Sequence, residues 1–221
     1  MRIEIAGSYY PRLTRWHVRC ALKWLSPAEL ARLEFIRILD EDESPAKRQK
    51  RGDIWSRTTN GRYTRKHGRE GAHIKLYARD LYLCIPLLFK LTPVATLRVA
   101  FTLAHEVGHH LVNERGYIFS NREKYKPYGV YNEYEENICE RFAFIVRRRM
   151  LGSRRYKFGA WLSRQLSYLY AGRADARWNR RQYEQAAFYW FCSFRHERDS
   201  QVAELYDKAI EMLNPVKSES R

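Results

Sequence analysis

Apolar residues recur at helical spacing through most of the chain and alternate in one short stretch. Ser26-Pro27 with Glu29 three residues after the serine forms a capping box, and Leu30, Leu33, Ile36 and Ile38 give the residues after it an apolar side. This predicts a helix over Pro27 to Leu39. The segment His73 to Arg79 alternates with period two and reads as a half-exposed strand, a candidate sheet edge able to pair with an extended peptide. Thr92-Pro93 opens a long helix on which Leu97, Phe101, Ala104, Gly108 and Leu111 share a face, with Arg115-Gly116 as its stop. A second long helix starts at Asn132, and Glu135 completes another capping box. Glu133, Glu135 and Glu136 stand in its first turn, Arg147-Arg148-Arg149 in its last, and Gly152 closes it. Residues 153–214 read as helical throughout. Residues 40–71 are polar with charges of both signs and read as a loop or insert. The pattern predicts two parts: 1–152, a mixed α and β domain, and 153–214, a helical extension.

Composition adds little to this division but affects partners. The 221 residues are 45% hydrophobic with 14% aromatic side chains, enough for a core, so global disorder is excluded. A net charge of +16 attracts acidic partners or nucleic acid, with basic clusters at Lys47–Arg51, Arg62–Arg69, Arg147–Lys157 and Arg173–Arg181. Cys20, Cys84, Cys139 and Cys192 form no CxxC pair and are expected as reduced, buried thiols. Met1-Arg2-Ile3-Glu4 leads into no apolar signal stretch. The longest apolar run, Leu81 to Phe89, contains Pro86 and is too short to span a bilayer. A cytoplasmic protein with no membrane partner is expected.

The chemistry concentrates on the first long helix, which carries His105-Glu106-Val107-Gly108-His109. Residues four apart share a helix face, so His105 and His109 present two imidazoles to one point, with Glu106 beside them. This is the H-E-x-x-H arrangement of zinc hydrolases, and about 0.02 chance matches are expected in a chain of this composition. Two histidines and a glutamate on an otherwise apolar helix also lack an obvious structural purpose. A catalytic zinc needs a third protein ligand, and the position six residues after His109 is Arg115 rather than histidine. Glu136 on the second helix is the expected third ligand. Glu140, one turn further, is expected to hold the distal nitrogen of a zinc histidine. Glu133 and Glu135 read as first-turn and capping residues. The expectation is one Zn2+ per chain on His105, His109 and Glu136, with Glu106 as catalytic base. His110, Tyr117, Tyr131 and Tyr134 are candidate oxyanion donors, among which the sequence does not choose.

The stretch Leu97 to Leu111 resembles the active-site helix of ImmA/IrrE-type metallopeptidases, and Glu136-Asn137-Ile138-Cys139-Glu140-Arg141-Phe142-Ala143 resembles their second helix, E-x-x-A-N-x-F-A. The resemblance covers roughly residues 70–150. It implies an α+β, zincin-like minimal domain: a small antiparallel or mixed sheet packed on an active-site helix and a glutamate helix. It also implies that Glu136 is a ligand, and that the activity is zinc-dependent hydrolysis of peptide bonds in a protein substrate, in the manner of a regulatory protease. The chain departs from the family in Glu140, where asparagine is usual, and in ending the helix as Phe144 to Met150. The alternative from another class is a basic nucleic-acid-binding or adaptor protein with a zincin fold and little or no peptidase activity.

Overall fold

The computed structural model describes residues 1–41, 60–65, 71–115 and 133–196. The chain divides into two compact units; among the described residues, the first runs to Lys157 and the second from Phe158. In the first unit, strand β1 (Arg2–Ile5) is followed by helix α1 (Pro11–Leu22), then strands β2 (Phe35–Leu39), β3 (Gly61–Thr64) and β4 (His73–Tyr77). A short helix α2 (Ala78–Tyr82) and a 3-10 turn (Leu87–Leu91) lead into the long helices α3 (Pro93–Arg115) and α4 (Glu133–Leu151). Helix α5 (Arg154–Trp178) runs from the first unit into the second, which also holds α6 (Tyr183–His196). No helix among the described residues is long and apolar enough to cross a membrane.

The architecture is α+β. The sheet has the order β1-β2-β4-β3, with β1, β2 and β4 parallel and β3 antiparallel to β4. This mixed order corrects two expectations. Phe35–Leu39, expected inside a helix, is a central strand flanked by parallel neighbours. The capping box at Ser26 does form: Ser26 N–H donates to Glu29 Oε2 at 2.6 Å and Glu29 N–H to Ser26 Oγ at 3.3 Å. Its turn then ends at Arg32, which sits at φ 66°, and the chain leaves for the sheet. Ile36 and Ile38 fit a helical spacing, but with Phe35 and Leu39 they form a run buried on both faces, as a central strand requires. His73–Tyr77 is a strand as expected, but it too is central and buried; the edge next to it is β3. β3 falls within 40–71, which read as a loop; the rest of that range, apart from residues 40, 41, 60, 65 and 71, lies outside the described residues.

Helix α1 was not expected. Pro11 occupies its first turn, and Thr14, His17, Val18 and Ala21 form its buried face. Two of those core-facing positions are polar, which hides the amphipathic pattern. His17 is satisfied inside the core, with Nδ1 2.7 Å from Thr96 Oγ1 and Nε2 2.8 Å from the Lys90 carbonyl. These bonds pin α1 to α3 and to the 3-10 turn.

Helix α3 begins where Thr92 and Pro93 predict, and the Val94 N–H donates to Thr92 Oγ1 at 3.3 Å. It packs on α1, on α4 and under β3 and β4. The approach of α4 depends on Gly108. A β-carbon there would lie 2.8 Å from Cys139 Cα, inside van der Waals contact. In the second unit, Ala174, Ala186, Ala187 and Trp190 form an apolar cluster. A polar seam beside it pairs Ser167 with Ser193 at 2.9 Å and Ser163 with His196 Nδ1 at 3.1 Å. The third apolar stretch expected there, Val202 to Leu213, lies outside the described residues. Of the four cysteines expected as thiols, Cys20 and Cys139 are free. Cys84 and Cys192 are each disulfide-bonded, which corrects the expectation at those positions.

Candidate metal centre

His105, His109 and Glu136 come together where α3 and α4 pack side by side, and one ligand atom from each lies within 4.8 Å of the others. His105 Nε2 is 3.1 Å from Glu136 Oε2, and His109 Nε2 is 3.4 Å from Glu136 Oε1. Tetrahedral zinc with bonds of about 2.0 Å places its donors roughly 3.3 Å apart. The donor set, two imidazoles and a carboxylate, and these two spacings are compatible with a metal ion. The imidazole centroids of His105 and His109 are 5.0 Å apart, as one helical turn dictates. All three side chains are partly exposed.

The electrostatics show a site built for positive charge. Hydrogen bonds from His105 and His109 hold the Glu136 carboxyl down to about 2. Burial opposes charge on His109, yet hydrogen bonds with Cys139, Glu135 and Glu136 push its imidazolium up to about 12. The proton so retained occupies a place that a cation could take.

The acid on the far nitrogen of His109 is Glu135: its Oε1 lies 2.8 Å from Nδ1. Glu140 was expected to hold the distal nitrogen of a zinc histidine and Glu135 to act in the cap; at His109 it is Glu135 that meets the distal nitrogen. The two nitrogens face opposite edges of one ring. Carboxylates from adjacent residues, about 100° apart around the helix, can straddle the ring, whereas residues four apart stack on one face. The sequence signal was the unbroken pair Glu135-Glu136. Glu140 is partly buried one turn further along α4.

Glu106 is buried, and its Oε2 accepts a hydrogen bond of 2.7 Å from the Tyr63 N–H on β3. Burial raises its pKa, against the attraction of His105 and His109 and the donated Tyr63 bond. Gly61 makes room for it: a β-carbon there would lie 3.1 Å from Glu106 Cγ. Neither Tyr63 nor Gly61 was singled out in the sequence, because both lie in the polar stretch read as a loop.

Of the expected oxyanion donors, His110 is corrected. It is buried on another side of α3, with Nε2 2.8 Å from the Ala31 carbonyl and Nδ1 3.3 Å from Tyr63 Oη. Both ring nitrogens are thus committed to packing. Tyr117, Tyr131 and the side chain of Tyr134 lie outside the described residues. No protein-family model matches this chain, and neither the curated proteins nor the solved structures include a match to it.

Proposed function

We propose that the protein is a zinc-dependent peptidase of zincin-like build, acting on a protein or peptide substrate. The observation that carries this reading is the convergence of both histidine Nε2 atoms on the Glu136 carboxylate, with buried Glu106 beside them. His105, His109 and Glu136 would hold the ion, and Glu135 would fix the tautomer and orientation of His109. When bound, zinc supplies Lewis acidity, which polarises a carbonyl and brings the pKa of water toward neutrality.

Glu106 is the proton carrier. A carboxylate whose pKa is raised by burial is a better base than an exposed one, and it can return the proton to the leaving amine. The Tyr63 N–H steadies Oε2 during that exchange. β3 is an edge of the sheet among the described residues and lies beside α3, where an extended chain could add as a strand, so substrate would be read mainly through its main chain. The resemblance of the two helices to ImmA/IrrE-type metallopeptidases supports the same assignment.

Metal analysis beside a peptide-hydrolysis assay tests it. Wild type should carry one zinc per chain, lost in both His105→Ala and Glu136→Gln. Glu106→Gln should keep the zinc and lose hydrolysis. Full hydrolysis by Glu106→Gln sinks the proposed mechanism, and zinc retained by Glu136→Gln moves the third ligand elsewhere.

A further inference from the structure

Helix α5 has two apolar faces, and the core uses one of them. Leu166, Tyr170 and Ala174 are buried. Tyr170 stacks on Tyr189 of α6, and Ala174 joins the apolar cluster of the second unit. On the other face Phe158, Trp161, Tyr168 and Leu169 are between 49% and 64% exposed. With Gln165 and Gly172 they follow one another at steps of three and four residues, so they form one stripe along the helix. The rings of Phe158 and Trp161 are stacked, with centroids 5.7 Å apart and planes at 21°. From Phe158 to Gly172 the stripe runs roughly 21 Å. Exposed apolar side chains grouped in this way mark an interaction surface.

The chemistry of the stripe selects its partner. Its exposed side chains are mostly aromatic and lie among positive charges. α5 carries six basic residues and one acidic residue, Asp175, whose Oδ1 accepts a hydrogen bond from Trp190 Nε1 at 3.3 Å. At about 100° per residue, Arg164 and Arg173 stand on either side of the stripe, and both are exposed. The basic clusters Arg147–Lys157 and Arg173–Arg181 adjoin its two ends along the chain. A second copy of this face would bring like charges together. An acidic peptide supplies the opposite charge but no flat rings to lie on the aromatic side chains. A nucleic-acid duplex keeps its base faces stacked inside itself. Unpaired nucleotides supply both requirements, planar bases and a backbone of phosphates.

Gly172 adds a second observation. A glycine inside a helix is costly relative to alanine. No atom of the described residues lies within 4 Å of where its β-carbon would stand, so packing does not require it. It leaves bare helix backbone one turn beyond Tyr168, where a ligand can approach closely.

We propose that this face of α5 binds single-stranded nucleic acid, with bases stacked on Phe158, Trp161 and Tyr168 and phosphates met by Arg164 and Arg173. The binding needs neither metal nor hydrolysis, so it stands or falls apart from the peptidase reading.

The experiment is fluorescence anisotropy of labelled oligo(dT) and oligo(U) with the full chain across a salt series, with a duplex of equal length and polyglutamate as competitors. At least one single strand should bind at low salt and weaken as salt rises. The duplex and polyglutamate should compete poorly. Trp161→Leu and Tyr168→Leu keep apolar bulk but lose the ring plane, and each should weaken binding about fivefold or more. Arg164→Gln and Arg173→Gln should each weaken it and flatten the log–log salt slope by about 0.7. Thermal melts confirm that each variant folds, and Leu87→Ala, on an exposed side chain of the 3-10 turn, should bind as wild type does. Four results overturn the proposal: no single-strand binding at low salt, duplex or polyglutamate binding as tight as the single strand, affinity unchanged in both leucine variants, or a dimer in sedimentation that Trp161→Leu dissociates.

Discussion

Glu135 Oε1 lies 2.8 Å from Nδ1 of His109, while Glu136 faces the other nitrogen of the same ring. One imidazole is thus held at both edges by consecutive residues of α4. Glu135→Ala should leave all three expected ligands in place but free the ring to turn. Zinc affinity, read by competition with a chromophoric chelator, should fall about 10–100-fold. Unchanged affinity would remove Glu135 from the centre.

Gly108→Ala tests how α3 and α4 meet. The added β-carbon would meet backbone, Cys139 Cα at 2.8 Å, so no side-chain rotation relieves it. The helices must part, at a cost of about 1–3 kcal/mol in denaturant unfolding. Because Glu135 and Glu136 ride on α4, zinc affinity should drop in the same variant.

Gly61→Ala makes a gentler intrusion. The nearest atoms are side-chain carbons, Thr102 Cγ2 at 3.0 Å and Glu106 Cγ and Leu76 Cδ2 at 3.1 Å. These can shift by a few tenths of an ångström, so stability should change by less than about 1 kcal/mol. The shift of Glu106 should show instead as a kcat lowered about tenfold with bound zinc unchanged, since catalysis is sensitive to small displacements of a reacting group.

His17 predicts an acid limb in the stability profile. Desolvation by burial lowers its pKa from 6.5 to about 4, with a nearby Arg155 charge adding to it against the Lys90 hydrogen bond. The unfolded chain therefore takes up a proton before the folded chain does. The contribution is complete above pH 6.5 and is lost as pH falls toward 4, by about 3 kcal/mol. Chemical denaturation from pH 7 to 4 should show that slope, and His17→Gln should flatten it. An equal slope in the variant would place the titration elsewhere.

How much of this was legible in the sequence depends on how local each determinant is. The start of α3 followed from Thr92 and Pro93, and the H-E-x-x-H spacing placed His105 and His109 together, because both are properties of a single helix. Glu136 followed as the acid of the second helix's first turn left over from capping, and the family resemblance through both helices implies the same residue. Phe35–Leu39 was misread because the Ser26 capping box is real but closes one turn only, and the strand's burial comes from parallel partners distant in sequence. Helix α1 stayed hidden because His17, polar in composition, lies in the core with both nitrogens bonded. The contact of Glu135 with Nδ1 of His109 turned on which edge of the ring it faces, and only the packing of α4 against α3 decides that.

The bond from β3 to the buried acid of α3 has a consequence for variation. Glu106 is held by the main-chain amide of residue 63, not by the tyrosine side chain. Every amino acid except proline carries that donor. A substitution at residue 63 therefore keeps the donor to Glu106 but removes the hydroxyl that meets His110 and Asn113. One residue of β3 thus anchors α3 twice, by a main-chain amide that only proline would remove and by a hydroxyl that almost any other residue would.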